Sequence, residues 1–113
     1  MKIYMLAEHD ELDEIAEPMS EAIRDWLAKS DSRAELIHPD EDNLQVGVFI
    51  ETGKKVALKD PVNFLYTLAK EYKAEFVVGL IAENDRRENV CFFGFEEGRP
   101  DINEIAQYLG LKR

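Results

Sequence analysis

Residues 75–96, Glu75-Phe76-Val77-Val78-Gly79-Leu80-Ile81-Ala82-Glu83-Asn84-Asp85-Arg86-Arg87-Glu88-Asn89-Val90-Cys91-Phe92-Phe93-Gly94-Phe95-Glu96, decide the fold class. The run at 76–82 is continuously apolar and of strand length, the pattern of a strand covered on both faces. Asn84-Asp85-Arg86-Arg87 is a polar turn, and over 89–96 Val90, Phe92 and Gly94 alternate with Cys91, Phe93 and Phe95. The stretch therefore reads as a β-hairpin whose first arm is central in a sheet. Gly94, at the crowded end of the second arm, marks either a bulge or a place where another backbone or a ligand comes close.

Upstream, a second hairpin is expected. Leu44, Val46, Val48 and Ile50 alternate with Gln45, Gly47, Phe49 and Glu51, and Thr52-Gly53-Lys54 reverses the chain into residues 55–59, where Val56 and Leu58 extend the apolar face. Each hairpin is followed by a helix. Asp60-Pro61 is a helix start in which Asp60 can cap free amides and Pro61 suits the first turn, ahead of Val62, Leu65, Leu68, Ala69 and Tyr72. Asp101, with Glu104 three residues on, opens a helix carrying Ile102, Ile105, Ala106 and Leu109, and Gly110 closes it.

At the N-terminus, residues 2–7 form a strand with apolar side chains on both faces, Ile3 and Met5 against Tyr4 and Leu6, which places it inside a sheet. Leu12, Ile15, Ala16, Met19, Ala22, Ile23, Trp26 and Leu27 then recur at helical spacing. Pro18 either starts a helix over 17–29 or interrupts a longer one that begins near Glu11. Residues 33–38 read as a short strand and 39–43 as a turn. The order β-α-β-β-β-α-β-β-α predicts an α+β fold: a two-layer sandwich with three helices on a mostly antiparallel sheet of five or six strands.

The length of 113 residues suits one domain over 1–113, with no linker or low-complexity break. The longest apolar run falls far short of the ~18 residues of a bilayer-spanning helix, and the acidic residues from Glu8 onward do not suit a signal peptide. A single cysteine, Cys91, allows no internal disulfide, which points to a reducing, cytoplasmic setting. In its apolar strand that cysteine reads as a structural thiol rather than a nucleophile.

The net charge of -10 is confined to one third of the chain. Residues 8–42 hold 13 acids against Arg24, Lys29 and Arg33, while the rest has 11 acids and 11 bases. An acidic face repels phosphate backbones, which speaks against nucleic acid, and attracts basic proteins or cations. Its simplest role is solubility. The functional expectation is a small binding or regulatory protein, immunity- or adaptor-like, that meets a basic protein partner through Glu14, Glu17, Glu21, Asp25, Asp40, Glu41 and Asp42. No nucleophile elbow, phosphate loop or metalloprotease motif is present, so an enzyme is not the expected reading.

Two other expectations follow. If strands 2–7 and 33–38 run parallel, His9 and Asp10 meet His38 and Asp40 at one sheet edge, where they could hold a divalent metal or a small ligand, with hydrolysis as one use. An uncovered sheet edge would also permit self-association. Among the aromatics, Trp26, Tyr72 and Tyr108 fall on apolar stripes and are expected in the core, and Tyr66 is expected at the surface.

Overall fold

The apolar run at 76–82 finds burial on both faces over residues 76–79, while Leu80 and Ile81 are part-buried and Ala82, past the strand's end, is exposed. In the computed structural model, which describes residues 1–30, 34–37 and 44–111, the chain runs β1 (Lys2–Glu8), α1 (Leu12–Lys29), β2 (Glu35–Ile37), β3 (Gly47–Glu51), a 3-10 helix (Lys55–Leu58), α2 (Lys59–Tyr72), β4 (Glu75–Ile81), β5 (Arg87–Gly94) and α3 (Ile102–Leu109). The sheet order is β2-β3-β1-β4-β5, and every neighbouring pair is antiparallel. This is the expected α+β architecture with the expected order of elements.

β1 is the middle strand. Its Ile3, Met5 and Ala7 join Val48 and Ile50 of β3 and Phe76 and Val78 of β4 under the helices, against Met19 and Ile23 of α1, Leu65 and Leu68 of α2, and Ile105 and Leu109 of α3. Phe76 and Phe93, opposite each other in the β4–β5 ladder, stack with centroids 5.6 Å apart, a pair contributing ~0.5–1.5 kcal/mol beyond its buried area. On the other face Tyr4, Ile37 and Val77 form a second buried cluster, bordered by Leu6, Phe49 and Ile81.

One slot in the element order is filled by a different kind of structure. Residues 55–59 do not return beside β3, which is paired to β1 along its length and to β2 over residues 47–49. The segment winds into the 3-10 helix instead. Leu58 is buried there while Val56 is left 71% exposed. The same winding overturns the expected cap of α2. The Lys59 amide donates to the Val56 carbonyl, so α2 grows directly out of the 3-10 helix and Asp60 makes no capping bond.

α1 takes the longer of its two expected forms and runs through Pro18. Proline removes one amide, leaving the Glu14 carbonyl without its helical partner, and Pro18 lies on the exposed side where water can serve instead. Buried Ala16, Met19 and Ile23 hold the helix down on either side of that break. α3 behaves as its sequence predicts. The Asp101 carboxylate accepts from the Asn103 and Glu104 amides, and Gly110 closes the helix in the left-handed region.

Gly94 is a close backbone approach rather than the bulge, which falls between Val78 and Gly79. At φ 149° its position leaves a Cβ only 2.6 Å from the Ala74 carbonyl oxygen. The Glu75 carboxylate then accepts from the Glu96 and Glu97 amides, at 2.8 and 2.9 Å, and ties down the following loop.

Gly79 has the same constraint from a side chain. The Tyr4 ring crosses it, and its hydroxyl donates to the Asn89 side-chain oxygen. A Cβ on Gly79 would lie 2.2 Å from the Tyr4 ring and 2.5 Å from the Glu88 carbonyl oxygen. Gly79→Ala is therefore expected to lower stability by about 1–3 kcal/mol in urea unfolding. In a Tyr4→Ala background, itself destabilised by loss of the buried ring, adding Gly79→Ala should cost less than in the parent but still something, because the backbone clash with Glu88 remains; an unchanged midpoint in Gly79→Ala would refute this packing.

Candidate functional site

α1 separates its side chains by chemistry. The apolar stripe turns inward, and Glu14, Glu17, Glu21 and Asp25, at steps of three, four and four, share an exposed stripe on the opposite side. At 1.5 Å per residue the stripe is about 16 Å long. Asp10, Glu11 and Asp13 extend it around the first turn, and all three are exposed, where the positive end of the helix favours negative charge. Among the described residues no lysine or arginine forms an ion pair with Glu14, Glu17, Glu21 or Asp25. The structure thus brings together four of the seven carboxylates expected to meet a partner; Asp40, Glu41 and Asp42 lie outside the described residues.

The rotation of α1 about its axis is set from inside. Trp26 stacks on Phe64 of α2 with centroids 4.7 Å apart and planes within 5°. That contact ties the C-terminal half of α1 to its neighbour and keeps the acidic stripe outward.

A cleft of about 360 Å³ opens along the flank of this stripe, between Asp13, Glu17, Ser20, Glu21 and Arg24 of α1 and Leu44 ahead of β3. Ser20 is the residue that sequence reading passed over. It lies on the shoulder between the apolar and acidic stripes, is only 4% exposed, and its hydroxyl has no hydrogen-bond partner among the described residues. The signal available was its position: a hydroxyl one residue before Glu21 and three after Glu17, bordering two buried positions of the helix.

The metal expectation divides in the same way. β1 and β2 do run in the same direction, but β3 lies between them, so they are two strand spacings apart, about 10 Å. His9 is half-buried, and its Nδ1 accepts from the Glu11 amide at 2.9 Å, shaping the turn into α1. Asp10 is exposed beside it. His38 and Asp40 lie outside the described residues, and among the described residues no three His, Cys, Asp or Glu side chains are grouped to hold an ion. No described helix is long and apolar enough to cross a membrane.

Aromatic placement departs from expectation at Tyr108, which is 61% exposed. α3 has eight residues, and Ile102, Ile105, Ala106 and Leu109 already fill its narrow buried stripe. At 100° per residue Tyr108 stands roughly 110° away from the stripe's centre. Tyr66 is half-buried rather than free, with the Lys70 ammonium 4.9 Å from its ring centroid. Tyr72 borders the core as a partly buried side chain, and Trp26 is partly buried against Phe64.

Cys91 is half-buried, and its thiol is pushed up to about 11, first by burial and second by the negative charge of Glu104. It is protonated near neutrality and a poor nucleophile. The folded protein holds this proton more tightly than the unfolded chain. Stability from the group is therefore present below about 9 and is lost as pH rises toward about 11. Reaction with a disulfide reagent should be slow at neutral pH and accelerate only as the medium approaches that range. Rapid neutral-pH labelling of the folded protein would contradict the burial described here.

Comparison with known protein families, curated proteins and solved structures finds no match to this chain.

Proposed function

We propose that this chain is a binding module that engages a basic protein surface through the outer face of α1, as an immunity protein or small adaptor would. The single observation that carries this reading is the unpaired, exposed stripe of Glu14, Glu17, Glu21 and Asp25. Neighbouring carboxylates on such a stripe stand ~6 Å apart. That is less than the screening length of about 8 Å at physiological salt. An approaching cationic surface therefore meets a summed field, which speeds encounter and orients it more than it adds affinity.

The stripe also carries a local cost that a partner would relieve. Asp13 and Glu17, Glu17 and Glu21, and Glu21 and Asp25 are like charges four residues apart, each such pair destabilising a helix by about 0.2–0.5 kcal/mol. A surface tuned only for solubility would gain by placing a lysine at one of these positions. Retaining the repulsion makes sense where the charge is used.

Two measurements test the reading with Glu14→Gln/Glu17→Gln/Glu21→Gln/Asp25→Asn. Pull-down at about 0.05 and 0.5 M salt should capture a basic protein only at the lower concentration, and the variant should lose it. The variant itself should unfold at a slightly higher temperature at low salt, since the like-charge pairs are gone. Capture that is indifferent both to salt and to the four substitutions, or no capture, would overturn the proposal.

A further inference from the structure

We infer that the sheet face opposite the helices is the docking surface for a second copy of this chain, in a twofold sheet-on-sheet dimer. α1, α2 and α3 all pack on one face, and no helix residue belongs to the cluster on the other. That second face carries an apolar band across four strands: Phe49 of β3, Leu6 of β1, Val77 and Ile81 of β4, and Phe92 of β5. Val77 is buried, and Leu6, Phe49 and Ile81 are half-buried. Phe92, which pairs with Val77, is 48% exposed.

The charges at the two ends of the band select the occupant. The ladders put Lys2, Ile81 and Arg87 in one row at the first end, and Glu8 and Glu75 in the row at the other. Six residues at about 3.3 Å separate these rows, ~20 Å. A twofold axis lying between two such faces and across their strands sets each strand over its own copy and reverses its direction. Lys2 then meets Glu8 of the second copy, Arg87 comes over the end where Glu75 stands, and symmetry makes each contact twice. Glu51, the acid in the basic row, lies on β3, whose other end begins at Gly47 and brings no like charge. In the single chain neither cation has a carboxylate partner among the described residues. Lys2 rests 4.7 Å above the Phe49 ring and Arg87 5.5 Å above that of Tyr4. Their stems fold back over the band's own rings, the place a second sheet would fill.

The edges of the sheet suit pairing less. β2 has three residues, β5 carries a bulge opposite Val78 and Gly79, and Gly94 at its end exchanges both backbone bonds with Gly98, features that blunt an edge. Five strands at about 4.8 Å and seven residues at about 3.3 Å give a face of roughly 500 Å² in projection, so about 1,000 Å² between two copies. That is the lower limit of a specific interface. The dimer is therefore concentration-dependent, forming over roughly 10–100 μM. α1 stays on the outside, and its acidic stripe remains free.

Sedimentation equilibrium of the whole chain, from about 5 μM to 1 mM at about 0.15 M salt, should show the mass rise from one chain toward two. Lys2→Glu and Glu8→Lys, both at exposed positions, should each weaken dimerisation roughly five- to tenfold. An equimolar mixture of the two should recover it, because in the mixed pair both contacts again join opposite charges. The mixture carries the parent's mean charge, so net repulsion does not account for the recovery. Phe92→Ser should weaken dimerisation roughly tenfold. A single-chain mass at every concentration would overturn the dimer. Dimerisation that survives Phe92→Ser, or charge variants that the mixture does not rescue, would overturn this face as its surface. Either failure leaves the reading of α1 standing, since partner capture does not use this face. A thermal melt of each variant establishes that it is folded.

Discussion

Pairing of β1 along both of its edges is the constraint from which the rest of the structure follows. β4 pairs with it along its whole length, residues 2–8, and β3 along residues 2–6 of the other edge. A strand so placed must be apolar on both faces, and Ile3, Met5 and Ala7 on one side and Tyr4 and Leu6 on the other meet that demand. With β1 at the centre, β3 has one edge left and gives it to β2, while β4 gives its own to β5. Residues 55–59 then find the β3 edge next to them shared with β2. The 3-10 helix and the uncapped start of α2 both result from that arrangement rather than from any local preference of those residues.

The two faces of the sheet are held differently. Under the helices the contacts are aliphatic and aromatic packing with no polar demand. On the far face an aromatic ring lies across a glycine, Tyr4 over Gly79, with the Arg87 guanidinium 5.5 Å from that ring and 5.9 Å from Phe49. Burial is the largest influence on the Tyr4 hydroxyl, raising its pKa, with Arg87 opposing and Glu88 adding to the effect. Such a face is small but specific. It orders the β1–β4–β5 register through shape, where the helix side orders it through volume.

α1 links this scaffold to the proposed function. A helix that carried only its acidic stripe would be poorly held, since like charges at four-residue spacing oppose helix formation and Pro18 removes an amide. What holds it is the buried side, with Met19 and Ile23 in the core, Trp26 against Phe64, and the His9 side chain fixing the entry turn. The helix that carries the carboxylates is thereby fixed, so a partner orders their side chains but not the backbone beneath them. The same rigidity keeps Ser20 at the border of the core with its hydroxyl unmatched.

Much of this was legible along the chain because it depends on near neighbours. The hairpin of β4 and β5, the Asp101 cap and Gly110 stop of α3, and the division of α1 into apolar and acidic stripes all arise from spacings of two, three or four residues, which backbone geometry converts directly into a face. The strand-like alternation of Val56 and Leu58 misled, as did the apolar register of Tyr108 and the capping signal of Asp60. Val56 and Leu58 wind into a 3-10 helix, Asp60 loses its cap because α2 continues directly from that helix, and Tyr108 stands off a buried stripe that only four residues of α3 fill. The crossing of Tyr4 over Gly79, 75 positions along the chain, leaves no local trace, since a contact across the fold is a property of the packed structure. Periodicity and charge could say which side of a helix meets water, but only the assembled sheet determined what stood on the other side.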